Sequence, residues 1–140
     1  MQQAGKKISQ LNVGDRVTEI LIVTQEQIDL FARATGDHNP IHIDPAYATT
    51  TQFKNRIAHG VLLNGIVSGL LGMRLPGLGT IARELNSKFL KPVFPDDEIT
   101  VEIEVIEVIE KLNLCTLKFE IRNQENQIVC KGQAKVIPPQ

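Results

Sequence analysis

Between Val61 and about Arg74 the chain reads VLLNGIVSGLLGMR, and no other stretch constrains the fold as strongly. Seven large aliphatics, Val61, Leu62, Leu63, Ile66, Val67, Leu70 and Leu71, leave almost no polar face. A helix here must therefore be buried on most of its sides. Burying those side chains contributes roughly 10–20 kcal/mol. Gly65, Ser68, Gly69 and Gly72 form a strip of small residues along the same helix. Each glycine costs about 1 kcal/mol of helix stability relative to alanine, so the strip implies that another backbone passes very close. The wider run Ile57–Leu75 approaches bilayer-spanning length, but His59, Asn64, Ser68 and Arg74 interrupt it. Polar groups are expensive in lipid, so this is read as a core helix, about 61–75, closed by the breaker Pro76–Gly79 and not spanning a membrane.

Such a helix needs a sheet around it, and the chain supplies one. Asp15–Val23 has the β-branched content of a first strand. Thr80–Phe94 is a second candidate, ending near Pro92 and Pro95. In Glu98–Glu110, Ile99, Val101, Ile103 and Val105 alternate with Thr100, Glu102 and Glu104, and the phase then slips to Ile106 and Val108, which predicts a bulge. Cys115, Leu117, Phe119 and Ile121 continue the alternation. After a turn at Gln124–Gln127, Ile128, Cys130, Ala134 and Val136 share a face. Ahead of the core helix, Thr24 with Gln27 forms a capping-box signature for a short amphipathic helix that ends at Gly36. Asp44-Pro45 reads as a cap and first position of another. The order is strand, short helix, polar loop, buried helix, then antiparallel strands. That pattern predicts an α+β hot-dog fold, a sheet wrapped around one helix.

At 140 residues the chain is read as one domain, 1–140, with mobile ends at Met1–Gln10 and Pro138–Gln140. The formal net charge of −1 argues against a partner recognised mainly by charge, such as nucleic acid. No apolar run follows the early lysines, so no secretory signal is read, and Cys115 and Cys130 are expected to be reduced thiols in a cytoplasmic protein.

The polar loop is Thr35–Asp44, TGDHNPIHID. A metal reading would use His38 and His42, but Pro40 disfavours the helix that would align them, and no further Cys/His cluster supplies a third ligand. Turn chemistry accounts for Asp37 and Asn39, and Asp44 is read as a helix cap. His42, between Ile41 and Ile43, should point away from both if the segment is extended, either packed or catalytic. Asp37 and His42 together, however, could grip one water, and imidazole suits proton transfer near neutral pH. His59-Gly60 opens the apolar helix. Its unpaired amides and partial positive charge suit an oxyanion, while its plainer role is to begin a helix.

Taken together, Asp37, Asn39, Pro40, His42, Asp44, Pro45 and the later His59-Gly60 pair resemble the signature of the MaoC-like hydratases, specifically the (R)-specific enoyl-CoA hydratases. FLKPVFPDDEI is similar to a returning strand of that family, and the likeness runs from about Val13 to Val136. The resemblance implies a homodimer whose sheets join, with the active site near the interface. It implies that Asp37 and His42 hold the catalytic water, that Asn39 supports the loop, and that the Gly60 amide polarises a thioester carbonyl. Asn39, His59, Val61 and Gly65 become the expected substrate-side positions. The reaction implied is reversible syn hydration of a trans-2-enoyl thioester, carried on coenzyme A or acyl carrier protein, to the (R)-3-hydroxyacyl thioester, without metal or organic cofactor. Gly65 departs from relatives that carry serine there, which bears on chain length. Arg74, Arg83, Lys88 and Lys91 are the cations placed to meet a carrier phosphate, although solvated surface charge is the favoured reading. A thioesterase and a non-catalytic acyl-thioester-binding subunit are the alternatives.

Overall fold

Period-2 alternation becomes sheet throughout the second half of the chain. In the computed structural model, which describes residues 3–140, five strands pair antiparallel: β1 (Arg16–Ile22), β2 (Ile81–Phe89), β3 (Glu98–Ile109), β4 (Leu114–Arg122) and β5 (Ile128–Ile137). Their spatial order is β1-β3-β4-β5-β2. Ile99, Val101, Ile103 and Val105 on β3 and Cys115, Leu117, Phe119 and Ile121 on β4 are all buried, as their alternation predicts. The predicted phase slip is a bulge, since the β3–β4 register shifts between Val105 and Glu107. The second strand stops earlier than its sequence suggests. Leu90 and Lys91 both donate their N–H groups to the Val129 carbonyl, bending the chain away at Phe89. Pro92 lies just beyond and has no N–H with which to extend the ladder.

Among the described residues four α-helical segments, besides short 3-10 turns at Ile8–Gln10 and Glu110–Leu112, lie outside the sheet ladder: α1 (Gln25–Thr35), α2 (Pro40–Ile43), α3 (Pro45–Thr49) and α4 (Gly60–Met73). Leu63, Val67, Leu70 and Leu71 of α4 are buried in the main core cluster with the inner faces of β3, β4 and β5. This is the hot-dog fold. Gly132 on β5 makes it possible locally: a Cβ there would collide with the Asn86 backbone on β2 and crowd the Phe119 ring.

A single chain meets the expected burial of α4 only in part. Within one chain α4 is not enclosed on most sides. Val61 is 57% exposed and Met73 58%, and Cβ atoms added at Gly65, Gly69 or Gly72 would meet nothing within 4 Å. The small-residue strip is thus an open face. Beside it runs β2, an edge strand whose Ile81 is 61% exposed and Phe89 50%. Of the segment Met1–Gln10, expected to be mobile, Met1 and Gln2 lie outside the described residues. Beyond them the chain is docked: Lys6 N–H donates to the Pro76 carbonyl at 2.8 Å, Gly5 sits against Gly77 and Leu78, and Leu11 is buried. At the other end Asn113 Nδ2 donates to the Pro138 carbonyl at 3.1 Å, tying down that residue. Cys115 and Cys130 are free and buried. Burial, with the charge of Asp15 adding to it, pushes the Cys115 thiol up to about 11, and burial raises Cys130 also. No helix among the described residues is long and apolar enough to cross a membrane.

Candidate active site

The site is assembled by caps. Thr24 Oγ1 accepts the Gln27 N–H while Gln27 Oε1 accepts the Thr24 N–H, so α1 begins as a capping box. It ends at Gly36, whose φ of +80° glycine adopts without strain. The chain emerging there is held by its own side chains. Thr35 Oγ1 accepts the Asp37 N–H, Asp37 Oδ1 accepts the Asn39 N–H at 3.3 Å, and Asn39 Oδ1 accepts the Ile41 N–H.

Pro40–Ile43 is a helical turn, so the extended case in which His42 would point away from Ile41 and Ile43 does not apply. Asn39 caps it, and Pro40 occupies the first turn, where a missing N–H costs nothing. His42 therefore does not simply oppose Ile41 and Ile43. Its Nδ1–H donates to the Ile57 carbonyl at 2.7 Å, because a carbonyl only accepts, which leaves Nε2 with its lone pair free. Burial lowers the pKa of His42 from its ordinary 6.5. The His59 ring adds to the shift, while the Ile57 bond and the Asp37 charge oppose it. Asp44 behaves as expected: its Oδ1 accepts the Ala46 and Tyr47 N–H groups at the start of α3.

His59 arrives from far along the chain. Its ring stacks on His42 at a centroid distance of 3.8 Å and tilts against Phe31 at 4.7 Å. His59 Nε2–H donates to the Asp37 main-chain carbonyl at 3.1 Å. The residue is 1% exposed, so it lies beneath the exposed Asp37 loop. A carboxylate oxygen of Asp37 and one ring nitrogen each of His42 and His59 fall within 4.8 Å of one another. His59 is therefore the third metal-type ligand that the sequence seemed to lack. The stacked rings nonetheless carry their lone pairs in nearly parallel planes, 29° apart, which does not converge them on one ion. His38 is exposed and takes no part.

Gly60 follows directly as the first residue of α4, with unpaired amides at its N-terminus. A Cβ at Gly60 would lie 2.8–3.1 Å from the Phe89 ring, so only glycine fits against that ring as it stands. A cavity of about 270 Å³ opens beside it, lined by Phe53, Ile57, Gly60, Leu63, Phe89 and Val93 among others. Phe89 has no signal in the sequence beyond an aromatic near a strand end. Val61 and Gly65 face outward on the open side of α4, and Asn39 serves the loop. Of the candidate carrier cations, Arg74 is ion-paired with Glu19, whereas Lys91 lines the cavity.

A model of the MaoC-like domain family matches residues 10–129. The chain belongs to the MaoC-like family. Among MaoC-like relatives, the (R)-specific enoyl-CoA hydratase of Aeromonas caviae is 42% identical over 113 residues, 81% of this chain and 84% of that one. The 3-hydroxybutyryl-CoA dehydratase of Methylorubrum extorquens is 37% identical over 131 residues, 92% of this chain and 82% of that one. The unliganded R-hydratase PhaJ1 of Pseudomonas aeruginosa superposes with a TM-score of 0.91 at 37% identity, covering 97% of this chain and 87% of that one. The Asp37–His42 loop and the His59-Gly60 helix start both lie inside the MaoC-like match.

Proposed function

We propose that this MaoC-like protein catalyses the reversible syn hydration of trans-2-enoyl thioesters to (R)-3-hydroxyacyl thioesters. The observation that carries the reading is the Asp37 carboxylate facing the His42 imidazole beside the start of α4. A water donating to two acceptors over bonds of about 2.8 Å at a tetrahedral angle spans about 4.6 Å. An Asp37 oxygen and a ring nitrogen of His42 lie within 4.8 Å of one another, a bound that admits a span of that size. The water gives one hydrogen to Asp37 and one to the bare Nε2 of His42, which aims an oxygen lone pair at C3. As the new C–O bond forms, the C2–C3 π electrons move onto the thioester oxygen and one water proton passes to the pair. The Gly60 N–H receives the enolate oxygen at the positive end of α4, a contribution of roughly 2.7–4 kcal/mol per donor. Collapse of the enolate takes the proton onto C2 from the same side, which makes the addition syn and restores the pair.

The reading includes a homodimer. Its support is the unpaired edge of β2 and the uncovered strip Gly65, Ser68 and Gly69, which together offer a sheet edge and a helix face to a second copy. The acyl carrier is coenzyme A or acyl carrier protein, with Lys91 beside the cavity as the nearest candidate cation. Two free, buried thiols support a reducing, cytoplasmic setting. The test is to add the protein to crotonyl-CoA, follow the enoyl-thioester absorbance, and run a thiol reagent in parallel. Loss of the enoyl band without thiol release is expected. Thiol release would reassign the protein as a thioesterase, and silence with both crotonyl-CoA and the crotonyl carrier-protein thioester would favour a binding subunit.

A further inference from the structure

We infer that His59 is a positioning residue that holds the Asp37 loop, the His42 ring and the Gly60 amide in one fixed arrangement. The inference rests on the proposed hydration. The three groups come from three separate pieces of chain: the loop after α1, the turn α2 and the first residue of α4. The Asp37–Asn39 bond ties the loop to α2, and the His42–Ile57 and Ile57–Ile41 bonds tie α2 to the approach to α4, but neither link joins all three. His59 touches all three. Its Nε2–H holds the Asp37 carbonyl at 3.1 Å, its ring face lies 3.8 Å from that of His42, and its own peptide bond leads into Gly60.

The chemistry of the ring supports positioning over ordinary packing. His59 is 1% exposed and its Nδ1 is buried without a partner. Burying a polar nitrogen unpaired is unfavourable, and a phenyl ring would fill a similar space without that penalty. What an imidazole adds here is the Nε2–H bond to the Asp37 carbonyl. The same bond fixes its tautomer. His59 carries its proton on Nε2, whereas His42, bonded through Nδ1–H to the Ile57 carbonyl, carries it on Nδ1. Two stacked rings thus hold opposite tautomers, and the bare nitrogen of His42 is left to the reaction.

The experiment compares wild type with His59→Phe and His59→Gln on crotonyl-CoA. Phenylalanine keeps a stacked ring but loses the donor, whereas glutamine keeps an N–H able to reach the Asp37 carbonyl. Small misplacement of reacting groups is worth about 100-fold in rate, so kcat of His59→Phe should fall by about that factor. KM should stay within about threefold, because the interactions lost are not made to bound substrate. His59→Gln should recover at least about tenfold of the lost kcat. Imidazole ¹⁵N spectra of the wild type at pH 8 should show the Nε2–H form for His59 and the Nδ1–H form for His42. An inactive wild type would overturn the reaction itself. An active wild type with both variants at its kcat, or with KM raised and kcat kept, would overturn positioning alone. Should His59→Phe fail to fold, the His59→Gln kinetics and the tautomers decide, and an Nδ1–H form of His59 would sink the inference.

Discussion

Asp37 and His42 are five positions apart, yet their partnership depends on residues the loop does not contain. The local part was legible: Thr24, Gly36 and Asp44 declare their caps within three or four residues. The helical turn at Pro40 was not, because a proline that breaks a helix interior is equally at home in its first turn. Nor was His59, which reaches the loop only through the tertiary fold. At this scale, Asp37→Asn should leave thioester binding intact and lower hydration by about 10²–10⁴-fold, the range of general acid–base contributions. Binding by calorimetry and turnover by absorbance separate the two, and near-normal turnover would refute the role of Asp37. Burial holds the pKa of His42 below 6.5. The neutral imidazole is the form that accepts the water hydrogen, so kcat/KM for hydration should fall as pH drops through a midpoint below 6.5. An acid limb assigned to His42 at or above 6.5 would contradict the buried, Ile57-bonded ring. Stability should follow the same sign, since below pH 6.5 the unfolded chain takes up this proton first and the folded state loses ground.

At the scale of elements, the sheet was readable almost residue by residue, including the bulge after Val105, because period 2 survives wherever one face is dry and the other wet. The helix α4 was read correctly as a buried element, and its expected burial on most sides is met by a single chain on one face only. Its composition counts every surface that will ever cover it, whereas one chain covers only Leu63, Val67, Leu70 and Leu71 completely. Gly69→Leu tests what covers the rest. No atom of the same chain lies within 4 Å of a Cβ there, so circular dichroism should match wild type. With the proposed homodimer on this face, sedimentation should shift from dimer to monomer, and an unchanged dimer would place the second copy elsewhere. Gly60→Ala tests the other end of the helix. Its methyl must displace the Phe89 ring, so kcat/KM should drop by about tenfold or more while the melting temperature moves by only about 2–4 °C.

For the molecule as a whole, the class of fold was visible in the order of its parts, while the close approach of two strands at one glycine is encoded by no periodicity. Gly132 allows β5 and β2 to approach where a methyl group would strike the Asn86 backbone. Gly132→Ala should destabilise the protein by about 3 kcal/mol or more, measured by urea denaturation, because backbone cannot step aside as a side chain can. A loss below about 1 kcal/mol would mean that the strands separate at little cost. The docked N-terminal segment was equally invisible in the sequence, since Gly5 and Lys6 form no pattern of their own and meet Pro76–Leu78 only in the fold. The two thiols sealed between sheet and helix have a practical consequence. Sulfur reacts as thiolate, and Cys115 is both protonated and hidden. Alkylation under native conditions must wait for the sheet and its helix to come apart, so its rate is a clock for rare openings of the core. A ligand that binds only the closed form slows that clock by the factor 1 + [L]/Kd. Acyl thioesters of graded length can therefore be ranked by the protection they confer, without any turnover being observed.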